Sequence, residues 1–353
     1  MPLTMSQTGN ILGLDIGGAN IKLATDDGSF LKAVTFPMWK QHRQLTATIE
    51  SLLTEYTQSG GVLSAIAVTM TGELADCFES KKEGVVSICE SVSSATRDAT
   101  DVHFYMTDGQ WCRCRDARKN WERLAASNWH ATANLAAKLR PFGASILLDI
   151  GTTTTDIIPI KGGEVATTAR DDLARLQAGQ LVYCGVERTP LCSLLSEFQL
   201  DSVATPIARE LFATTLDVFL LTGEIAERPN CTATADGNPA TREYAKRRLS
   251  RMICECPDLI QPQQLDAMIH QARKAIVDLI AKAFNKVSSS LNTPADAIIA
   301  AGQANFLNNE LRTDAEVISL ETLCSVDTAD LARIGPAYAV ASLLKQDLSE
   351  TQQ

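Results

Sequence analysis

The sequence predicts an α/β protein of two lobes, because one motif occurs twice among alternating apolar strands and helical segments. The apolar run Ile11–Ile16 ends in an Asp-x-Gly turn, and Ser145–Ile150 ends in the same way far along the chain. Two copies of strand, turn and strand are typical of an internally duplicated protein. At 353 residues the chain is long enough for two cores. We place an N-terminal lobe at residues 1–140 and a C-terminal lobe at residues 141–353.

Composition favours a small-molecule ligand. The formal net charge of -10 opposes nonspecific attraction to nucleic acid or to anionic lipid, which both need clustered Lys and Arg. The polar segment Met1–Asn10 has no basic region followed by an apolar one, and no run reaches the roughly 18 apolar residues of a membrane span. We therefore expect a cytoplasmic protein without nucleic-acid or membrane partners. Homo-oligomerisation stays open.

The ten cysteines are expected to be reduced thiols, since no export signal accompanies them. Cys112 with Cys114, and Cys254 with Cys256, form two Cys-x-Cys pairs. A soft metal site at these pairs is the weaker alternative, because the usual spacing has two intervening residues.

Apolar runs bounded by turn residues predict the strands, and longer mixed segments predict the helices. Ala19–Ala24 is extended in character, so a strand rather than a helix follows the first glycines, unlike a dinucleotide-binding unit. The further predicted strands are Lys22–Thr25, Phe30–Phe36, Ala65–Met70, Ile157–Ile160 and Ala297–Ala301. The predicted helices are Gln44–Gln58, Trp121–Leu139, Ile207–Leu221, Thr241–Cys254, Pro262–Leu291 and Gly335–Leu348.

Three strand-end turns are the candidate phosphate and nucleotide sites. Glycines let backbone amides approach phosphate oxygens, and a neighbouring carboxylate can hold hydrated Mg²⁺. A single Asp-x-Gly is more often an ordinary turn. Two Asp-x-Gly turns followed by the glycine turn Ala300–Gln303 after a third strand match, in this order, the motifs of the actin, sugar-kinase and Hsp70 fold, with its interlobe cleft. The turn residues are Asp15, Gly17 and Gly18; Asp149, Gly151, Thr152, Thr153, Thr154 and Asp156; and Gly302 with Gln303. Asp15, Asp149 and Asp156 are the candidate Mg²⁺ ligands.

Two further groups of polar residues follow buried strands. Asn20 and Lys22 lie just after the first turn, where Lys22 could meet a phosphate or be a solvated edge residue. The segment Thr69–Asp76 carries two hydroxyls and two carboxylates, which favours a ligand cleft. The structural alternative is a helix capped by Thr71. The candidates in this segment are Thr69, Thr71, Glu73 and Asp76.

Arg188 and Asp217 are candidate site residues, but each also has an ordinary structural explanation. Tyr183–Pro190 is rich in turn and polar residues, and Arg188 could bind a phosphate or carboxylate of a ligand or form a salt bridge with Glu187 or another neighbour. Asp217 lies in an apolar helical segment, so it either faces a polar cleft or needs a buried partner.

Several multi-residue strings resemble the hydantoinase/oxoprolinase-like proteins of tetrahydromethanopterin-linked C1 transfer. They are Leu14–Lys22, Thr69–Asp76, Ser127–Trp129, Leu148–Asp156 and Tyr183–Pro190. The resemblance implies a transferase of methanofuran-type cofactor synthesis. Such an enzyme joins an aminomethylfuran methyl diphosphate to a phenolic amine similar to gamma-glutamyltyramine and releases diphosphate.

The resemblance also implies roles for residues. It places the first two turns at the diphosphate, with Mg²⁺ near Asp15 or Asp149, and leaves Glu73 or Asp76 to take the phenol proton. ATP is not favoured on this hypothesis. The runner-up is an ATP-dependent small-molecule kinase or hydantoinase-like hydrolase that binds adenosine near Gly302. A nonenzymatic nucleotide-binding scaffold is the third class.

Overall fold

Strands and helices alternate along the chain, as the sequence predicts. The computed structural model describes residues 9–96, 101–311, 313–326 and 331–351. The strands among them are β1 (Asn10–Ile16), β2 (Asn20–Thr25), β3 (Leu31–Thr35), β4 (Leu63–Met70), β5 (Asp101–Tyr105), β6 (Trp111–Cys112), β7 (Ala144–Ile150), β8 (Thr155–Lys161), β9 (Glu164–Val165), β10 (Leu181–Val182), β11 (Glu197–Leu200), β12 (Val203–Pro206), β13 (Ala297–Gly302) and β14 (Glu316–Ser319). The α-helices are α1 (Met38–Gln41), α2 (Leu45–Gln58), α3 (Lys81–Thr96), α4 (Ala117–Leu124), α5 (Asn128–Leu139), α6 (Asp172–Ala178), α7 (Thr215–Thr222), α8 (Arg242–Arg251), α9 (Pro262–Ser290), α10 (Leu320–Cys324) and α11 (Leu331–Thr351).

The chain forms two compact units, although their limits differ from the predicted lobes at 1–140 and 141–353. The second unit consists of Leu148–Ile157 and Ala178–Val317. The first unit contains the rest of the chain, including the C-terminal helix. That helix joins the first unit because its apolar face packs on β1, β2 and β4.

A mixed six-stranded sheet in the order β3-β2-β1-β4-β5-β6 forms the centre of the first unit. Its middle strand, β1, pairs antiparallel with β2 and parallel with β4. The near-continuous apolar run of β1 suits a strand buried on both faces. The side chains of Leu12, Leu14 and Ile16 are fully buried in one core cluster of this unit.

Helix α11 lies directly against β1. A Cβ atom added to Gly13 of β1 would lie 1.8 Å from the carbonyl oxygen of Ala337. The helix therefore approaches the strand more closely than any side chain at position 13 would permit. This contact fixes the C-terminal helix on the sheet whose edge carries the first glycine turn.

A second sheet has the strand order β10-β8-β7-β13-β14, with β9 paired to β8. The apolar strands β7, β8 and β13 are those that the sequence predicts near Ser145–Ile150, Ile157–Ile160 and Ala297–Ala301. Gly162 and Gly163, both with positive φ, form the turn between β8 and β9.

Two predicted helices are wrong in extent. Helix α7 begins at Thr215, so residues 207–214 of the predicted helix Ile207–Leu221 are not helical. The predicted helix Trp121–Leu139 is broken between α4 and α5, where Ala126 adopts a φ of 48°. Apolar composition alone did not reveal these interruptions, because each is fixed by contacts with distant segments.

All ten cysteines are free thiols, two of them exposed at Cys254 and Cys256. The residues that the structure describes contain no group of three or more His, Cys, Asp or Glu side chains placed to hold a metal ion. Among the same residues, none of the helices combines the length and apolarity needed to cross a bilayer.

Candidate functional site

The first glycine turn joins β1 to β2. The Gly17 amide donates to the carbonyl of Asn20 at 2.9 Å, which closes the turn tightly. A Cβ atom at Gly18 would meet no other atom within 4 Å, so the backbone at this position faces open space. A ligand can therefore approach the turn closely at Gly18, as a phosphate-binding turn requires.

Asp15 and Lys22 flank this turn as a pair. They are opposite residues in the β1–β2 register, and Lys22 Nζ lies 3.0 Å from Asp15 Oδ2. Asp15 is 2% exposed, and among the described residues its other oxygen, Oδ1, has no hydrogen-bond partner. Lys22 is thus neither a solvated edge residue nor an unpaired cation. It pairs with one oxygen of the Asp15 carboxylate and leaves the other, buried oxygen without a hydrogen bond among the described residues.

Thr71 lies beside the turn, whereas Thr69 does not. Thr71 and Gly72 both donate their amides to the Ile16 carbonyl, at 2.9 and 3.0 Å. Thr69 is buried, and its hydroxyl is 2.8 Å from that of Ser127. The helix that Thr71 would cap is absent, since α3 begins only at Lys81. The structural alternative for this segment is therefore wrong.

Glu73 is a buried carboxyl group. It is 1% exposed, and its Oε2 lacks a hydrogen-bond partner within the described part of the chain. Burial, reinforced by the negative charge of Asp172, raises the pKa of Glu73 to about 7. Asp76 is exposed on the same segment. The two candidate bases of the sequence thus differ in burial, and Glu73 is the one whose pKa is raised to near neutral pH by its surroundings.

Around Glu73 lies a cluster that the sequence did not reveal. Lys81 pairs with Asp172 at 3.2 Å, and Asp172 is 3.3 Å from Arg175. The Arg175 guanidinium is buried and stacks 4.3 Å from the ring centroid of Trp129. Trp129 belongs to a string that carried the family resemblance, but nothing near Asp172 or Arg175 in the sequence marked them. Their roles depend on contacts between distant segments.

The second glycine turn lies between β7 and β8. The Gly151 amide donates to Thr154 at 2.9 Å, which repeats the geometry of the first turn. The hydroxyls of Thr152 and Thr153 lie 3.5 Å apart, and residues 151–154 are partly exposed. Gly151, Thr152, Thr153 and Thr154 are therefore brought together as the sequence predicts.

A loop from the Tyr183–Pro190 segment covers the second turn. The Val186 amide donates to the Gly151 carbonyl at 3.0 Å, and the amides of Glu187 and Arg188 both donate to Thr152. Glu187 of this loop pairs with Arg228 at 3.1 Å. The Arg188 residue is exposed at this loop.

The third turn packs against the strand that leads into the second. Gly302 has a φ of 81°, and a Cβ there would lie 2.4 Å from the Ile150 carbonyl oxygen and 2.6 Å from Asp149 Oδ1. Gln303, which is exposed, donates its amide to Ile150 at 2.8 Å. Only glycine meets both the positive φ and this close approach. The second and third turns therefore form one continuous surface.

The predicted Mg²⁺ ligands occupy different surroundings. Asp15 offers its unpaired Oδ1. Asp149 is half-buried beside Gly302, and Asp156 is buried in β8 opposite Leu181. Mg²⁺ in phosphate-handling proteins is commonly held by only one or two carboxylates together with water and phosphate oxygens. Asp15 and Asp149 each lie on the strand that leads into a glycine turn and fit that requirement, whereas Asp156 lies within β8, after the second turn.

Asp217 has the buried partner that its apolar neighbours require. It is 1% exposed, and Arg248, which is fully buried, donates Nε to its Oδ1 at 2.7 Å. Burial raises the pKa of Asp217 to about 6, although the Arg248 charge opposes that rise. Asp217 therefore has its buried partner, and the other explanation, that it faces a polar cleft, is not needed.

Comparison with known proteins supports a specific family. The chain is 32% identical over 342 residues to the (4-{4-[2-(gamma-L-glutamylamino)ethyl]phenoxymethyl}furan-2-yl)methanamine synthase of Methanocaldococcus jannaschii, covering 96% of this chain and 99% of that protein. It is 31% identical to the synthase of the same name from Methanococcus vannielii, covering 58% of this chain and 92% of that protein.

The fold has a counterpart among solved structures. A nucleotide-free acetone carboxylase superposes with a TM-score of 0.50 at 10% identity, covering 94% of this chain and 69% of that one. The fold is that of the actin, sugar-kinase and Hsp70 class, as the three turns predict. The family model for hydantoinase/oxoprolinase matches residues 64–324. The chain therefore belongs to the hydantoinase/oxoprolinase family.

Proposed function

We propose that the chain is a transferase of methanofuran-type cofactor synthesis for tetrahydromethanopterin-linked C1 metabolism. It condenses an aminomethylfuran methyl diphosphate with a phenolic amine similar to gamma-glutamyltyramine and releases diphosphate. The observation that carries the proposal is the 32% identity over 96% of the chain to the Methanocaldococcus jannaschii synthase.

The name of that relative's product supports carbon–oxygen bond formation. A phenoxymethylfuran contains an ether between a phenol oxygen and a furfuryl carbon. Making this bond from a diphosphate ester forms the phenol O–C bond and breaks the C–O bond to diphosphate, which leaves with the electron pair. The phenol proton passes to a base. Positioning and electrostatic stabilisation of the leaving group can supply most of the catalysis.

The glycine turns supply the proposed diphosphate contacts. The backbone at Gly18 faces open space, and the hydroxyls of Thr152 and Thr153 lie together on a partly exposed turn. Backbone amides and hydroxyls donate hydrogen bonds to phosphate oxygens without requiring a large positive charge. This suits a protein with a net charge of -10, which must offset the charge of diphosphate locally.

Mg²⁺ would be held by Asp15 or Asp149. The buried, unpaired Oδ1 of Asp15 is the feature that fits a cation. When bound, Mg²⁺ would neutralise charge on the departing diphosphate. Lys22 keeps the other Asp15 oxygen in place through its 3.0 Å contact.

Glu73 is the proposed proton acceptor. A base is most effective when its pKa is close to the working pH, and the pKa of Glu73 is raised to about 7 by burial. Asp76 is exposed and lies outside the Glu73 cluster, which makes it the natural comparison residue.

ATP-dependent chemistry is the second candidate, and one observation favours it. The third turn, Gly302–Gln303, packs directly on Ile150 and Asp149 at the second turn, as an adenosine motif would beside a phosphate motif. Binding measurements separate the two candidates. We expect calorimetry with Mg²⁺ to show diphosphate binding and little ATP binding. Strong ATP binding without diphosphate binding would favour a kinase or hydrolase.

A further inference from the structure

Thr215, the first residue of α7, makes hydrogen bonds to the loop that covers the second glycine turn. Its hydroxyl donates to the Gly185 carbonyl at 2.7 Å and accepts from the Thr189 amide at 3.4 Å. Thr215 is fully buried. A buried hydroxyl with two such partners holds the loop in one position, because either loop group would otherwise lose its hydrogen bond.

Gly185 transmits that position to the turn. A Cβ atom added there would lie 2.5 Å from Thr152 C and from Thr153 N, so the loop backbone rests directly on the turn backbone. The next three amides, of Val186, Glu187 and Arg188, donate to carbonyls of the turn. The conformation of the turn therefore depends on where Gly185 is held.

The N-terminus of α7 is itself anchored by buried charges. Thr214 and Asp217 form a capping box, with the Thr214 amide donating to Asp217 Oδ2 at 2.9 Å. Arg248 holds the other Asp217 oxygen and also contacts Asp236 Oδ1 at 3.0 Å. Burying such a pair is costly, and its best-supported use is to fix one arrangement of the chain.

We propose that Thr215 is a positioning residue for the second glycine turn, anchored by the Asp217–Arg248 pair. It holds Gly185 against Thr152 and so keeps the turn in the conformation that binds diphosphate. This inference rests on the proposed function for the identity of the ligand. Thr215 does not touch the substrate and acts only through the 185–188 loop.

Isosteric substitution tests the role of the Thr215 hydroxyl. Thr215→Val keeps the size of the side chain and removes both hydrogen bonds, whereas Thr215→Ser keeps the hydroxyl. Thr222→Val, at the other end of α7, removes a hydroxyl that hydrogen-bonds to the Phe219 carbonyl and the Glu224 carboxylate, away from the loop. We expect diphosphate to bind about tenfold more weakly to Thr215→Val and within about twofold of the parent protein to the other two variants.

Amide hydrogen exchange provides a readout that does not depend on the ligand. We expect faster exchange at Val186, Glu187 and Arg188 in Thr215→Val, with protection retained in Thr215→Ser. Unchanged exchange in Thr215→Val overturns the inference, and so does faster exchange with undiminished diphosphate binding. If the parent protein binds no diphosphate, the proposed function fails, while the exchange rates still decide whether Thr215 holds the turn.

Discussion

At the scale of single residues, Glu73 is a buried carboxyl group whose pKa is raised to about 7. Its neighbours Lys81 and Asp172 largely neutralise each other, so desolvation dominates and raises the pKa of Glu73. The sequence predicts Glu73 as a candidate from its place after a buried strand. It could not separate Glu73 from Asp76, because burial is decided by Asp172 and by α3, where Gly84 packs on the Glu73 backbone.

Glu73→Gln should remove the dependence of turnover on the protonation of residue 73. It should also remove the contribution of this group to the pH dependence of the unfolding free energy. Turnover should rise with pH to a plateau above about 7 in the parent protein, since the carboxylate is the base. The variant should be slower by about a hundredfold or more. Turnover measured from pH 5 to 9 checks this. Asp76→Asn is the control, and wild-type turnover in Glu73→Gln would exclude Glu73 as the base.

The stability effect has the opposite sign. Between the ordinary pKa of 4.5 and the folded value of about 7, the folded state keeps a proton that the unfolded state has lost. Unfolding free energy therefore falls as pH rises through this window, by on the order of 3 kcal/mol in total. Denaturant titrations across this pH range measure the unfolding free energy, and in Glu73→Gln this fall should be missing.

Ala126 carries backbone strain next to the same cluster. Its φ of 48° is unfavourable for alanine, and it contributes a backbone hydrogen bond to Glu73. Ala126→Gly should relieve this strain and raise the free energy of unfolding by roughly 0.5–1 kcal/mol. Ala125→Gly, where φ is -60°, should lower it. Urea denaturation of both variants tests the sign, and a loss of stability in Ala126→Gly would contradict it.

At the scale of elements, glycines in and beside β1 serve two separate purposes. Gly13→Ala would place a Cβ atom 1.8 Å from the Ala337 carbonyl oxygen, so we expect it to displace α11 and to destabilise the fold by several kcal/mol. Gly18→Ala meets open space and should fold normally while weakening diphosphate binding. Thermal melts and calorimetry separate these effects. Normal diphosphate binding by Gly18→Ala would remove the first turn from the site.

Replacement of Asp149 tests whether the second turn binds Mg²⁺. Asp149→Asn preserves size and hydrogen bonding but removes the charge that would attract Mg²⁺, so turnover should fall by about a hundredfold or more with the fold intact. Product formation over a Mg²⁺ titration, beside a thermal melt, is the measurement. Unchanged activity with unchanged Mg²⁺ dependence would mean that the metal and phosphate site lies elsewhere.

At the scale of the whole molecule, the repeated strand, turn and strand pattern was sufficient to predict the α/β fold. Buried strands such as β1, β7 and β13 can be recognised from their own sequences, because each is an apolar run that ends at a glycine turn. The sequence of α11 does not itself indicate that this helix belongs to the first unit, because that depends on the packing of α11 against β1. The same holds for the buried Asp217–Arg248 pair.

The central claim is that the chain forms an aryl ether with release of diphosphate. The most direct test incubates the purified protein with Mg²⁺, an aminomethylfuran methyl diphosphate and gamma-glutamyltyramine, without ATP. Mass spectrometry quantifies the ether, and a coupled assay quantifies diphosphate. We predict equal amounts of both products. The absence of ether without ATP, together with turnover once ATP is supplied, would contradict the claim and favour an ATP-dependent enzyme.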